Sequence, residues 1–385
     1  MPEAVEKSRE ATRRPVVLDA RMIGHSGIGT HIRGLLEGWR EVAPDFCPTL
    51  LGDRAVLDQW LPDAARFPTI TFRVPPYGWR EQIGFPARET RGALLHCPHY
   101  NIALRHGGPL VVTIHDLIHL DKRWGVRSKV GQFYARLMLL LAARRARHIF
   151  AVSQATADEL VARLTIPAEK ITVVHNAPSS VFLNSHFPSG AIEQFRRETG
   201  LSADYLLTVG LYKPHKNLDL LFEVFKSLRE EGKTELGLVV AGTQEKERPA
   251  LERRLSELGL ADQVRVLDRL PTDRMALLYG GATALVHPAR LEGFGLPIVE
   301  AQAVGTPVVA SRASTVPEVA GEGALFFDPQ DRSELGRQIL RVTEDRELRE
   351  RLVAEGRRNV KRFSWSESAR KVLAVYERVA QAAGP

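Results

Sequence analysis

His287–Ala310 reads HPARLEGFGLPIVEAQAVGTPVVA, and the order of residue types in it describes a loop, a short helix and a strand. Pro297 suits a first helical turn, where its missing N–H would have had no partner. Gly305 suits the helix end, where a positive φ is wanted, and Val308 and Val309 open a buried strand. The loop Glu292, Gly293, Phe294, Gly295, Leu296 therefore feeds a helix of roughly two turns. Free N–H groups and the positive end of the helix dipole face whatever lies over that loop, which favours a phosphate. Gly293 and Gly295 let the backbone approach a ligand closely. Glu292 and Glu300 are eight residues apart and on one continuous helix would not share a face. With Glu292 in the loop and Glu300 one turn into the helix, both reach a ligand along the helix start. Two acceptors there suit the hydroxyls of a sugar and a ribose. Taken singly, each glutamate has a plainer reading, as an exposed loop residue or a helix-stabilising one.

The whole pattern is more specific than either residue. Glu292-x7-Glu300, with LVHPAR (285–290) before it and AVGTPVVAS (303–311) after it, closely resembles the E-x7-E motif of the family 4 glycosyltransferases. The resemblance implies an α/β chain of GT-B fold, with two Rossmann-like domains facing across a cleft and a last helix crossing back to the first domain. It also implies a retaining enzyme that takes its sugar from a nucleotide.

At 385 residues the chain has room for two domains of ordinary size. Its 44% hydrophobic and 26% charged content is that of a globular protein. The opening MPEAVEKSREATRR has charges but no apolar core and reads as a loose tail over 1–14. The nearly apolar run Leu137–Ala143 is too short to span a bilayer. Cys47 and Cys97 form no metal or redox motif, so a reduced, cytoplasmic setting is expected. The net charge of +7 is local: residues 121–150 hold eight basic residues and one acidic.

The first half, 15–184, reads as one Rossmann-like, acceptor-binding domain. Val16–Ala20 is a strand, followed by Gly24, Gly27 and Gly29 and a helical pattern from Ile28 to Trp39. By the resemblance, this glycine loop lies near the donor diphosphate. Its spacing misses GxGxxG, which argues against a dinucleotide enzyme. Residues 60–95 are rich in Pro and aromatic residues and suggest an irregular acceptor-side segment. Val111–Leu117 is a strand ending at His115 and Asp116, where open sheets place ligands. It matches the family's TxHD element, which implies that His115 contacts the donor sugar and Asp116 orients the imidazole or the loop. Over 126–148, Phe133, Leu137, Leu140 and Leu141 recur at helical spacing beside Arg136, Arg144, Arg145 and Arg147. That is either a core helix with solvated arginines or a basic amphipathic surface on anionic lipid. No stacking aromatic pattern accompanies it, so nucleic acid is not an expected partner. HIFAVSQATADEL (148–160) is a strand and helix with Ser153 as N-cap, and 179–190 look like a linker.

The second half, 185–365, reads as the nucleotide-sugar domain, and 366–385 as the returning helix. After the strand from Tyr205 come Gly210 and a basic loop with Lys213, His215 and Lys216 before an amphipathic helix, where charge and N–H groups can share a diphosphate. The resemblance makes Lys216 the diphosphate lysine. It also exposes a departure, because Leu211 and His215 occupy the positions where the family has an arginine. The strand 264–270 brings Arg269 and Leu270 to the region that meets the base in the family.

No D-x-D occurs, so no metal or other cofactor is expected. Lys216, the helix near Pro297 and backbone N–H groups would offset the leaving diphosphate's charge. TIHDLIH, AVSQAT and KPHKN look most like the branch of bacterial mannosyl- and rhamnosyltransferases that build surface polysaccharide such as lipopolysaccharide. The expectation is mannose transfer from GDP-mannose to a glycan or lipid-linked acceptor, at the inner face of the plasma membrane. UDP- or dTDP-sugar donors, and a catalytically weak binding scaffold, are the alternatives.

Overall fold

The computed structural model describes residues 14–121, 124 and 129–382. The tail over 1–13, residues 126–128 of the basic segment and 383–385 of the last helix lie outside them. The chain divides into two compact units, one of residues 1–176 and 364–385, the other of residues 177–363.

The first unit carries β1 (Val16–Asp19), α1 (Gly27–Val42), β2 (Thr49–Gly52), α2 (Arg54–Trp60), β3 (Thr69–Thr71), α3 (Trp79–Gly84), β4 (Leu94–Cys97) and β5 (Leu110–Ile114). It continues with α4 (Lys129–Arg145), β6 (His148–Ala151), α5 (Gln154–Leu164) and β7 (Ile171–Val173). Seven parallel strands run in the order β3-β2-β1-β4-β5-β6-β7. The central strands are mostly apolar because helices cover both faces, and β4, β5 and β6 are buried throughout, His96, Thr113 and His148 included. Residues 60–95 are less irregular than their composition suggests, since they hold the edge strand β3 and the short helix α3.

The second unit contains α6 (Ser180–Leu183), α7 (Ala191–Thr199), β8 (Tyr205–Val209), α8 (Leu218–Glu230), β9 (Gly237–Thr243), α9 (Arg248–Leu258), β10 (Val264–Asp268) and α10 (Thr272–Gly280). Then come β11 (Ala284–His287), α11 (Leu296–Val304), β12 (Val308–Ser311), α12 (Val316–Ala320), β13 (Ala324–Phe327), α13 (Arg332–Glu344) and α14 (Arg346–Val360). Its six parallel strands run β10-β9-β8-β11-β12-β13. Residues 179–190 are not a free linker: α6 buries Phe182 against Tyr279, with ring centroids 5.8 Å apart, so this stretch belongs to the second unit.

The last helix, α15 (Trp365–Ala382), belongs to the first unit. Trp365, Ala369, Val372, Tyr376 and Val379 form its buried stripe, at a spacing of three and four residues. They pack on α1, where Gly34 and Gly38 leave the space: a Cβ at Gly34 would overlap the Trp365 ring, and one at Gly38 the Trp365 carbonyl. The Trp39 indole N–H donates to the Ala369 carbonyl at 3.3 Å across this seam.

Candidate active site

Open parallel sheets bind ligands beyond the carboxyl ends of the strands, where the strand order reverses. In the second unit that point lies between β8 and β11, because β9 and β10 extend to one side and β12 and β13 to the other. The two loops leaving β8 and β11 are the basic loop, 210–217, and the motif loop, 288–295.

Asn217 joins them. It is 7% exposed, with a left-handed φ of 57°, and its side-chain amide donates to the carbonyls of Pro288 (3.1 Å) and Pro329 (3.0 Å). Its Oδ1 accepts from Arg290 Nε at 2.9 Å, while the Arg290 backbone N–H donates to the His215 carbonyl at 2.8 Å. Held this way, Lys216 Nζ lies 2.5 Å from Glu292 Oε2, across 76 residues of sequence. His287 Nε2 is 3.5 Å from the same oxygen. Burial alone would raise the Glu292 pKa, but Lys216 and His287 outweigh it and hold the carboxyl well below its usual range.

Gly295, at φ 94°, caps α11 at its start, and Gly305, at φ 96°, at its end. Pro297 is in the first turn, and Glu300 is one turn in. Burial pushes the Glu300 pKa up to about 7, although the Tyr279 hydroxyl donates to Oε2 at 2.8 Å and opposes the shift. Phe294, a candidate donor contact by its place in the motif loop, is 4% exposed and packs its ring edge-on against Phe363 at 5.4 Å. Its side chain anchors the loop, so only its backbone and those of Gly293 and Leu296 are candidates to meet a ligand. Gly210 has φ 150° beside the Lys216 stem, and Lys213 caps the short turn Pro214–Lys216. Arg269 and Leu270 follow β10 at the same edge of the sheet, two strands from the reversal.

In the first unit the reversal lies between β1 and β4. Gly27 opens α1 with nothing within 4 Å of an added Cβ, whereas a Cβ at Gly29 would overlap the Ile23 carbonyl. Gly29 is therefore explained by the tight turn alone. His115, just past β5, donates from Nε2 to the Pro98 carbonyl at 3.0 Å and stacks edge-on with His31 at 5.1 Å. That bond leaves Nδ1 as the acceptor. Burial lowers its pKa to about 4, so the ring is neutral at pH 7. Asp116 accepts from the Ile118 N–H at 3.0 Å and shapes the loop, while Pro98 orients the imidazole.

Behind His115 runs a buried chain that the sequence did not reveal. Tyr376 Oη lies 2.6 Å from His96 Nδ1, and His96 Nε2 lies 2.8 Å from Thr113 Oγ1. Thr113 is 3.4 Å from His31 Nε2, and His31 Nδ1 donates to Asn176 Oδ1 at 2.8 Å. Arg290 and Tyr279 were missed as well. Arg290 stood in the quoted LVHPAR stretch, but nothing in its spacing marks it.

A depression of about 760 Å³ lies at the opposite, amino-terminal edge of the second sheet, lined by Asp204, Pro307, Arg196, Arg349 and Arg357 among others. Helices end on that side, and arginines answer their open carbonyls. Arg196 Nη2 donates to the Gly281 carbonyl at 2.6 Å, and Arg349 Nη1 to those of Val342 (3.0 Å) and Thr343 (2.7 Å). This is a capping arrangement, so the motif loops and not the depression carry the chemistry. Among the described residues no group of three or more His, Cys, Asp or Glu could hold a metal ion.

Two family models match the chain: Glycosyltransferase Family 4 over residues 25–177, and Glycosyl transferases group 1 over residues 192–359. O-antigen chain mannosyltransferase B of Escherichia coli is 27% identical over 291 residues, covering 75% of each chain. The MMP alpha-(1->4)-mannosyltransferase of Mycolicibacterium hassiacum is 34% identical over 285 residues, which is 71% of this chain and 66% of that protein. Among solved structures, Anabaena Alr3699/HepE in complex with UDP and glucose superposes with a TM-score of 0.75 at 18% identity, covering 94% of this chain and 99% of that one.

Proposed function

Because the chain belongs to family 4 of the glycosyltransferases, we propose that it moves mannose from GDP-mannose onto a lipid-linked or polysaccharide acceptor, with retention at the anomeric carbon. That it is a glycosyltransferase rests on both family models and on the mannosyltransferase relatives. The observation that carries the proposal is the meeting of Lys216 and Glu292 at the strand-order reversal.

In this reading the diphosphate lies over the basic loop and the start of α11. Lys216 and Arg290 offset the charge that builds on the leaving group, with backbone N–H groups beside them. The arriving diphosphate competes with Glu292 for Lys216, and the ionised Glu292 then accepts a sugar hydroxyl. Glu300, steadied by Tyr279, accepts from the ribose. Neutral His115 offers Nδ1 to a hydroxyl of the transferred sugar. No carboxylate is assigned as a nucleophile, so attack and departure share one face of the sugar. The two mannosyltransferase relatives favour mannose; the HepE complex keeps a UDP-sugar as the second reading. Among the described residues no helix is long and apolar enough to cross a membrane. In this reading a lipid-linked acceptor is met by peripheral contact at the inner face of the plasma membrane.

Calorimetric titration of GDP, UDP and dTDP, each with and without magnesium, tests the reading. GDP should bind best, independently of metal, and Lys216→Ala should weaken it by roughly ten- to a hundredfold, the worth of a charge-assisted hydrogen bond. Preference for another nucleotide would discard the donor, and binding of none would leave the scaffold alternative.

A further inference from the structure

Five of the exposed large apolar side chains stand on two neighbouring helices. Trp79 and Ile83 on α3 are 68% and 62% exposed; Val130, Phe133 and Leu137 on α4 are 79%, 70% and 41% exposed. Asn101 ties the helices together. Its amide donates to Glu81 of α3, and its Oδ1 accepts from the Tyr134 hydroxyl of α4 at 2.6 Å.

The stripes are consistent with helical geometry. Trp79 and Ile83 are one turn apart, and Val130, Phe133 and Leu137 follow at intervals of three and four. The opposite side of α4 is already committed to the core through Ala135, Met138, Leu139, Ala142 and Ala143. Phe133 and Leu137 lie off that buried stripe and are exposed. Leu140 and Leu141, which share the helical spacing in the sequence, are half-buried, and Leu141 packs on the core.

The exposed charge described on these two helices is of one sign. Arg80 lies 5.6 Å from the Trp79 ring centroid, Arg105 donates to the Ile83 carbonyl, and Arg136 and Arg144 are exposed on α4. The described part of α4 carries no acid, and the one acid of α3, Glu81, is 1% exposed and paired with Arg21 at 2.6 Å. A Trp and a Phe among aliphatic residues, rimmed by arginine, fit the boundary between anionic headgroups and acyl chains.

We propose that α3 and α4 together form the surface on which this protein docks to an anionic lipid bilayer, with Trp79, Ile83, Val130 and Phe133 entering the headgroup boundary. This deepens, and rests for its purpose on, the reading of a lipid-linked acceptor. It assigns the contact to apolar insertion by two helices rather than to the basic helix alone.

The test is sedimentation of the full chain with phosphatidylcholine vesicles, with and without phosphatidylglycerol. The protein should pellet with the anionic vesicles, and Trp79→Ser/Phe133→Ser should weaken partitioning by roughly a hundredfold, about tenfold for each large side chain removed from the boundary. Arg136→Glu/Arg144→Glu should abolish the preference for phosphatidylglycerol. Thermal melts of each variant by far-ultraviolet circular dichroism should match the parent and so show that the first unit, which carries these residues, is folded. If the parent ignores anionic vesicles, or the Trp79/Phe133 variant binds them as the parent does, the proposal fails. It also fails if the parent self-associates without lipid and that variant is monomeric, because the face would then join two copies. Loss of all nucleotide binding in the parent would strike the donor reading and leave the vesicle result standing.

Discussion

At the residue scale, Lys216 sits where the family resemblance expects a diphosphate ligand, while the arginine expected beside it is replaced by Leu211 and His215. Arg290 brings a guanidinium to that same loop from the next strand, through the His215 carbonyl and Asn217. Arg290→Ala is therefore expected to weaken binding of a nucleoside diphosphate by roughly tenfold or more and to leave binding of the bare nucleoside unchanged, as calorimetry would read. Equal losses for both ligands would remove Arg290 from the diphosphate. Glu300 makes a second prediction. Its pKa is raised from 4.5 to about 7, so the folded state holds a proton that the unfolded chain releases. The resulting stability is complete below pH 4.5 and is lost as the pH rises through about 7. Glu300→Gln lacks this dependence, so its melting temperature relative to the parent should climb across that window. A constant offset would mean that the carboxyl titrates normally.

At the scale of elements, the seam between α1 and α15 fixes the last helix to the first unit. Gly34 and Gly38 are one turn apart, and Trp365 occupies the space their missing side chains leave. Gly38→Ala should cost about 1–3 kcal/mol through overpacking, despite the gain in helix propensity. Thermal melts followed by tryptophan fluorescence would measure it; an unchanged or raised melting temperature would show that the seam adjusts freely. The apolar residues of α15 are plain in the sequence by their spacing. Their partner surface is not, because a glycine pair inside a helix reads as a weakness until the neighbouring indole is seen.

At the scale of the whole molecule, the two units should differ in their response to acid. His96, His115 and His148, all in the first unit, are lowered from 6.5 to about 3, 4 and 4 by burial. Neutral when folded, they stabilise the unit above pH 6.5, and that contribution is lost as the pH falls towards 4. In the second unit Glu292 is depressed from 4.5, so its contribution is lost only below that value. All five tryptophans, Trp39, Trp60, Trp79, Trp124 and Trp365, lie in the first unit. As the pH is lowered from 7, tryptophan fluorescence should therefore report unfolding before nucleotide binding fails. Simultaneous loss would show that the buried histidines do not set the order.

The sequence by itself determined the two parallel α/β units, because apolar runs of strand length, glycine turns and amphipathic helices alternate along it and each signal is local. It also marked Glu292, Glu300, Lys216 and His115, which stand in contiguous motifs. Tertiary structure alone decided which of them meet. The ion pair of Lys216 with Glu292 depends on β8 and β11 becoming neighbours, and the neutral state of His115 on burial beside His31 and Pro98. The outward face of α4 was likewise undecided by spacing. Two apolar stripes compete on that helix, and only the packed unit buries Ala135, Met138, Leu139, Ala142 and Ala143 while leaving Val130, Phe133 and Leu137 exposed.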